Sequence, residues 1–123
     1  MAGYRIDRVS EDIKREIAAI IRELKDPRVQ DKMLTVVNVD VSSDASFAKV
    51  YISAYDGIDT AKTAVKALSN ATGYIRREVG QRLHLRKAPE LKFIADDSIE
   101  KGMRIAGLIN SVVPESGDDN DDD

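Results

Sequence analysis

Two helical stripes separated by one short break constrain this chain more than any other feature. Ala61, Ala64, Val65, Leu68 and Ala71 recur at helical spacing, with Asp59 placed to cap the first turn. After Gly73 a second stripe runs through Ile75, Val79 and Leu83. The break itself, Ala71-Thr72-Gly73, holds a single glycine, and Ala71 is a good helix former. It therefore predicts a kink between two helices rather than an open loop.

Strand periodicity lies on both sides of this pair. Upstream, Val37, Val39 and Val41 alternate with Asn38 and Asp40. Ala48, Val50, Ile52 and Ala54 then alternate with Lys49, Tyr51, Ser53 and Tyr55. Ser42-Ser43-Asp44-Ala45-Ser46 between them has turn chemistry, so the two runs predict an antiparallel hairpin with one buried and one wet face. Downstream, Pro89 precedes a short third strand, Leu91-Lys92-Phe93-Ile94-Ala95. An amphipathic helix comes first in the chain, striped by Ile6, Val9, Ile13, Ile17, Ile20, Ile21 and Leu24 and stopped at Asp26-Pro27. A last helix begins at Asp97, with Glu100 at capping-box spacing, and runs through Ile99, Met103, Ala106 and Ile109 to about Val112.

The order predicts an α+β fold: a three-stranded sheet with helices on one face and an additional C-terminal helix. Residues 1–114 form one domain. Residues 115–123 are too polar and charged to fold alone and are expected to be a disordered acidic tail. The helix-strand-strand-helix-kink-helix-strand series resembles KH domains of type II, in which a GXXG loop between two helices clamps backbone nucleotides. Here that loop is missing and the kink stands in its place.

Charge is unevenly distributed. The chain carries a net −3, yet Glu115 to Asp123 hold six of its 22 acids and no base. Residues 1–114 thus set all 19 bases against 16 acids, a net of +3. A mildly basic domain with an acidic tail points weakly to a polyanionic partner. Six bases, Arg76, Arg77, Arg82, Arg86, Lys87 and Lys92, fall within seventeen residues against Glu78 and Glu90. Arg76 and Arg77 are expected at a helix start, where free N–H groups and the helix dipole favour phosphate. The candidate RNA contacts are Arg76, Arg77, Arg82, Arg86 and Lys87, with Lys49 and Arg28 at the rim. Stacking aromatics are sparse: Tyr51 and Tyr55 are expected on the wet sheet face and Tyr74 near the kink. Structured RNA, recognised by shape and phosphate, fits better than a single strand.

Other chemistries find little support. The chain has no cysteine, which removes disulfides and thiolate metal sites and fits a reducing cytosol. The single histidine, His84, is expected at the surface or in packing, and helix capping accounts for Asp97 of the Asp96-Asp97 pair. There is no P-loop and no GxGxxG. No signal peptide or membrane-spanning run is apparent. The sequence therefore predicts a non-enzymatic cytoplasmic protein without cofactor or metal, monomeric by default. The acidic tail is expected to solvate the chain, or to cover the basic helix transiently and weaken non-specific RNA binding.

Several stretches together resemble one family. They are Arg5-Ile6-Asp7-Arg8-Val9 with Glu16-Ile17, Asp26-Pro27-Arg28-Val29, and Val39-Asp40-Val41-Ser42-Ser43-Asp44 with Ala48-Lys49-Val50-Tyr51-Ile52. To these are added Ala71-Thr72-Gly73-Tyr74-Ile75-Arg76, Leu85-Arg86-Lys87-Ala88-Pro89-Glu90-Leu91 and Asp97-Ser98-Ile99-Glu100-Lys101-Gly102. In order and spacing over about residues 4–112 they are similar to ribosome-binding factor A, whose AxG kink replaces GXXG. The resemblance implies a KH-type domain that binds the immature small (30S) ribosomal subunit and its 16S rRNA. It further implies help with rRNA precursor processing and late maturation, importance in the cold, and interplay with ribosome-assembly GTPases. The alternative is a protein-interaction module that reaches the ribosome through protein partners without touching RNA.

Overall fold

The computed structural model describes residues 2–99 together with 101, 102 and 105, and for residues 2–7 the helical backbone alone. Six elements follow one another: α1 (Ala2–Glu23), β1 (Leu34–Val41), β2 (Phe47–Ala54), α2 (Ile58–Asn70), α3 (Thr72–Arg82) and β3 (Glu90–Asp96). Residues 98, 99, 101, 102 and 105 are helical too; the remainder of the expected last helix and the tail lie outside the described residues.

The sheet runs β1-β2-β3, with β2 in the middle. β1 pairs with it antiparallel and β3 parallel. A parallel pair cannot be closed by a tight turn, so the chain must cross a face of the sheet between β2 and β3, and α2 and α3 make that crossing. α1 packs on β1 and α3, and α2 packs on β2 and β3, so all three helices share one face. Between the layers lies an aliphatic core. Ile13, Ile17 and Ile20 of α1, Val50 and Ile52 of β2, and Leu68, Ile75 and Val79 of the helix pair are completely buried.

Three local expectations are corrected. First, the alternation in β1 slips at a bulge between Val36 and Asn38, which pair with Ile52 and Tyr51 in turn. Val37 is the extra residue, so Val36 takes the core position and Val37 is only half-buried. Second, the outer face of β2 is not wet throughout. Ser53 is completely buried, because the chain after β3 returns over it and the Ile99 N–H donates to Ser53 Oγ at 3.4 Å. Tyr51 on that face is half-buried, and Tyr55 falls beyond the strand end.

Third, the cap of α2 differs. α2 starts one residue before Asp59, behind Gly57 at φ 117°, and no side chain caps it. Asp59 instead places its charge in the first turn, where the dipole favours it. At the last helix Asp97 stands at the cap position, its carbonyl accepting the Lys101 N–H at 2.9 Å and its carboxylate pairing with Lys101 at 3.6 Å, while the Ser98 N–H goes to Asp96 Oδ1 at 2.7 Å. Glu100, the expected second half of the capping box, lies outside the described residues.

The hairpin turn is held by one carboxylate. Asp44 Oδ1 accepts from the Ser46 hydroxyl (2.7 Å), the Ser42 hydroxyl (2.8 Å) and the Ser46 N–H (3.1 Å). These bonds, the Ser46 hydroxyl first, hold its carboxyl at about 2, against an ordinary value of 3.8. They also support Ala45, which sits at φ 60° in a region that alanine avoids. A depressed folded pKa contributes stability above the unfolded value and loses it as pH falls through the folded one. Asp44→Ala should therefore melt below the parent at neutral pH, and the gap should close as pH drops from about 4 to about 2. Thermal melts followed by circular dichroism across that range check this.

Candidate nucleic-acid interface

α2 and α3 are joined through one non-helical residue, Ala71, at φ −98° and ψ 13°. Its N–H is shared between Ala67 O (3.2 Å) and Leu68 O (3.1 Å), and its carbonyl accepts the Ile75 N–H at 3.0 Å. Thr72 Oγ1 donates to Ser69 O at 2.7 Å, covering one of the carbonyls that end α2. The backbone thus turns without opening a loop. α3 then points Ile75 and Val79 into the core and leaves Gly73, Arg77 and Gln81 on the other side.

The C-terminus of α3 is closed by a Schellman arrangement. The Leu85 N–H reaches Gly80 O at 2.9 Å and the His84 N–H reaches Gln81 O at 3.3 Å. His84 occupies the left-handed position, φ 55°, where glycine is usual. The following loop is folded back onto the helix by Arg76, whose Nε and Nη2 both donate to Ala88 O at 3.1 and 2.9 Å. Between helix and loop lies an open depression of about 670 Å³, lined by Gly73, Arg77, Gly80, Gln81, His84 and Arg86 among others.

Sequence reasoning placed seven cations in one group, and the structure separates them by what they already bind. Arg76 does not stand at a helix start. α3 begins four residues earlier, and its guanidinium is spent on Ala88 O. Arg82 pairs with Glu23 at 2.7 Å and with Glu78 at 3.2 Å, tying the end of α3 to the end of α1. The Glu23 bond holds the Arg82 guanidinium above its usual range and the Glu23 carboxyl below its own. Arg28 forms a two-pronged pair with Asp26 at 3.1 and 2.8 Å, which lowers the Asp26 carboxyl. Lys49 stands on the outer face of β2, between Asp40 of β1 and Lys92 of β3 in register, on the side of the sheet away from α3. Arg77, Arg86 and Lys87 remain, and none of them makes an ion pair among the described residues.

Gly80, Gln81 and Ala88 were missed as lining residues, and His84 was not assigned to the depression. The signal for Gly80 was present: it lies seven residues after Gly73, two helical turns on, and so on the same face. Neither glycine is required by packing. A Cβ on Gly73 would meet nothing within 4 Å, and one on Gly80 would meet only the Ala88 Cβ at an ordinary 3.6 Å.

A helix-strand-strand-helix-kink-helix-strand domain with a cationic surface along its third helix defines a KH-like protein of type II. The family profile for ribosome-binding factor A matches residues 5–109. A curated ribosome-binding factor A of Clostridium tetani is 43% identical over 121 residues, covering 98% of this chain and 99% of the relative. The solution structure of a putative ribosome binding factor A from Thermotoga maritima aligns with a TM-score of 0.68 at 31% identity, over 79% of this chain and 92% of that one. The Thermus thermophilus protein, a homology model fitted into a cryo-EM map of a 30S–RbfA complex, aligns at 0.55 with 33% identity, over 68% and 86%. The chain belongs to the ribosome-binding factor A family.

The division of labour among the arginines can be measured. Arg76→Ala removes two hydrogen bonds to Ala88 O and should lower thermal stability by about 1–2 kcal/mol and speed hydrogen exchange in residues 85–89. Arg77→Ala should leave both unchanged. Equal effects of the two substitutions would refute the assignment.

Proposed function

We propose that this chain binds the immature small (30S) ribosomal subunit, laying the exposed face of α3 on 16S rRNA. The observation that carries the reading is the depression along α3. Its glycine floor lets a backbone come close, Arg77 and Arg86 line it, Lys87 follows in the same loop, and none of the three makes an ion pair among the described residues. Membership of the family, and the 30S complex into which the Thermus relative was fitted, support this choice of particle. No Phe, Tyr or Trp lines the depression and His84 supplies its one ring, so phosphate and ribose contacts along structured RNA suit it better than a run of stacked single-stranded bases.

The mode of action is differential binding. A protein that holds the immature rRNA conformation more tightly than the mature one shifts the population, and its release marks completion. Assistance to late maturation and precursor processing, importance in the cold and interplay with assembly GTPases belong to the same reading. So does action in the cytoplasm as a monomer; no described helix is long and apolar enough to cross a membrane. Arg76 and Arg82 act indirectly here: Arg76 shapes the loop that presents Arg86 and Lys87, and Arg82 anchors α3 to α1. Lys49 and Arg28 are peripheral contacts at most.

Three free cations predict a salt dependence. If about three phosphates are neutralised, log K should fall with log salt at a slope near −3. Filter binding to purified 16S rRNA measures this, and Arg77→Glu with Arg86→Glu should flatten the slope and abolish most binding while the fold is retained. Normal rRNA binding by that folded variant would show that the exposed face of α3 is not the RNA site.

The glycines supply a second check. Gly80→Ala should stabilise α3 by about 0.5–1 kcal/mol, since glycine is a poor helix former. It should nonetheless weaken rRNA binding, because the added methyl stands on the floor where the RNA backbone approaches. A variant that is both more stable and equally tight would show that nothing comes close to this face.

A further inference from the structure

The second large concavity lies away from α3, between α1 and β1, and encloses about 860 Å³. Its floor is apolar: Ala18 and Ile21 of α1, Val29 of the loop, and Leu34 and Val36 of β1. Met33, 67% exposed, and Tyr55, 52% exposed, stand at its mouth. They are two of the four large hydrophobic side chains that the described residues leave in solvent. Ile99, where the chain returns from β3, lines the groove as well. Exposed apolar surface gathered around one groove marks a place that is normally covered.

The rim is charged and mostly basic. Lys14, Arg22 and Lys32 line it and make no ion pair among the described residues. Arg15 is already held by Asp12 and Glu16, and the acids at the rim are Glu11 and Asp31. An occupant must therefore bring apolar side chains for the floor and an excess of negative charge for the edge.

The chain itself supplies such a segment and delivers it to the right place. The course of the chain is fixed at Ile99 by the Ser53 Oγ bond and at Lys101 by its pair with Asp97. Twenty-four residues follow Ile99 in the 123-residue chain. At helical spacing from Ile99 come Met103, Ala106 and Val113, and from Glu115 onward come six acids without a base. The described helical residues are oriented accordingly. Lys101 and Ile105, four residues apart, share an exposed side, and Ile99 is half-buried. The lengths agree as well. A helix from Ile99 to Val113 rises about 21 Å, and the stretch of α1 that lines the groove, Glu11 to Arg22, rises about 16 Å.

We propose that residues 100–123 of this same chain fill the α1–β1 groove, with Met103, Ala106 and Val113 on its apolar floor and the acids from Glu115 onward against Lys14, Arg22 and Lys32. The acidic tail is thereby held away from α3, and its charge is satisfied without competing with RNA for Arg77, Arg86 and Lys87. This occupant reconciles an acidic chain with a polyanionic partner.

The absence of native cysteine makes a direct test simple. A nitroxide spin label on Ser111→Cys, and separately on Asp119→Cys, is placed in the full-length ¹⁵N-labelled chain, and amide signals are compared before and after reduction of the label. The expected result is loss of signal at Ala18, Lys32, Met33 and Tyr55, with Arg77, Gly80 and Arg86 unaffected. Loss at the α3 residues would place the tail on the RNA face and overturn the proposal, as would no localised loss. Loss that appears only when labelled and ¹⁵N chains are mixed would assign the groove to a second copy and overturn it equally. Met103→Asp should also lower the melting temperature of the full chain while Ile105→Asp does not; equal effects count against the docked stripe.

Discussion

The parallel pairing of β3 with β2 is the constraint on which the rest of the structure depends. Because those strands run the same way, the chain between them must traverse the sheet, and it does so as two helices with a single non-helical residue at the turn. That residue, Ala71, sets where α3 points. With Ile75 and Val79 committed to the core, the opposite side of α3 is presented to solvent. Arg82 then fixes the far end by bridging to Glu23 of α1, and Arg76 pins the return loop. The surface along α3 is thus a by-product of crossover geometry, sharpened by two arginines that face inward to their own chain.

This sorting of arginines bears on how cationic surfaces are read. A cluster of basic residues in sequence measures only the supply of charge. What is available to a polyanion is the supply left after internal partners are met. An arginine whose planar fork already satisfies a carbonyl or a carboxylate would have to break those bonds before meeting phosphate. Arg76, Arg82 and Arg28 are committed in this way, whereas Arg77, Arg86 and Lys87 make no ion pair among the described residues. The committed residues still matter to the surface, but through its shape.

Much of the architecture was legible because hydrophobic period decides it. The stripes at Ile13, Ile17 and Ile20, at Ala64 and Leu68, and at Ile75 and Val79 are all buried as their spacing requires. The alternation in β2 holds through Ala48, Val50 and Ile52. What failed is what depends on a residue distant in sequence. Ser53 reads as solvent-facing until Ile99 returns over it, and Val37 reads as core until the bulge moves Val36 there. The candidate interface was legible as a segment but not as a set of side chains. Ala88 for Arg76, Glu23 for Arg82 and the neighbours of Lys49 are set by tertiary contacts twelve or more residues away or by strand register, which no local pattern reveals.

The positions where local preference is overruled carry a further lesson. Ala45 at φ 60° sits in the tight hairpin turn and is supported by the Asp44 network, and aspartate tolerates the left-handed region at Asp31. Neither asks for anything outside the chain. The others collect on one surface. Gly73 and Gly80 weaken a helix of only eleven residues without relieving any clash, and His84 holds a left-handed site that glycine would occupy at lower cost. α3 also begins without a side-chain cap. Local rules broken without internal compensation are expected at sites shaped by a partner. The proposed sugar–phosphate backbone against α3 would account for all three residues together: the glycines as clearance, and the histidine as a polar edge beside Arg77 and Arg86.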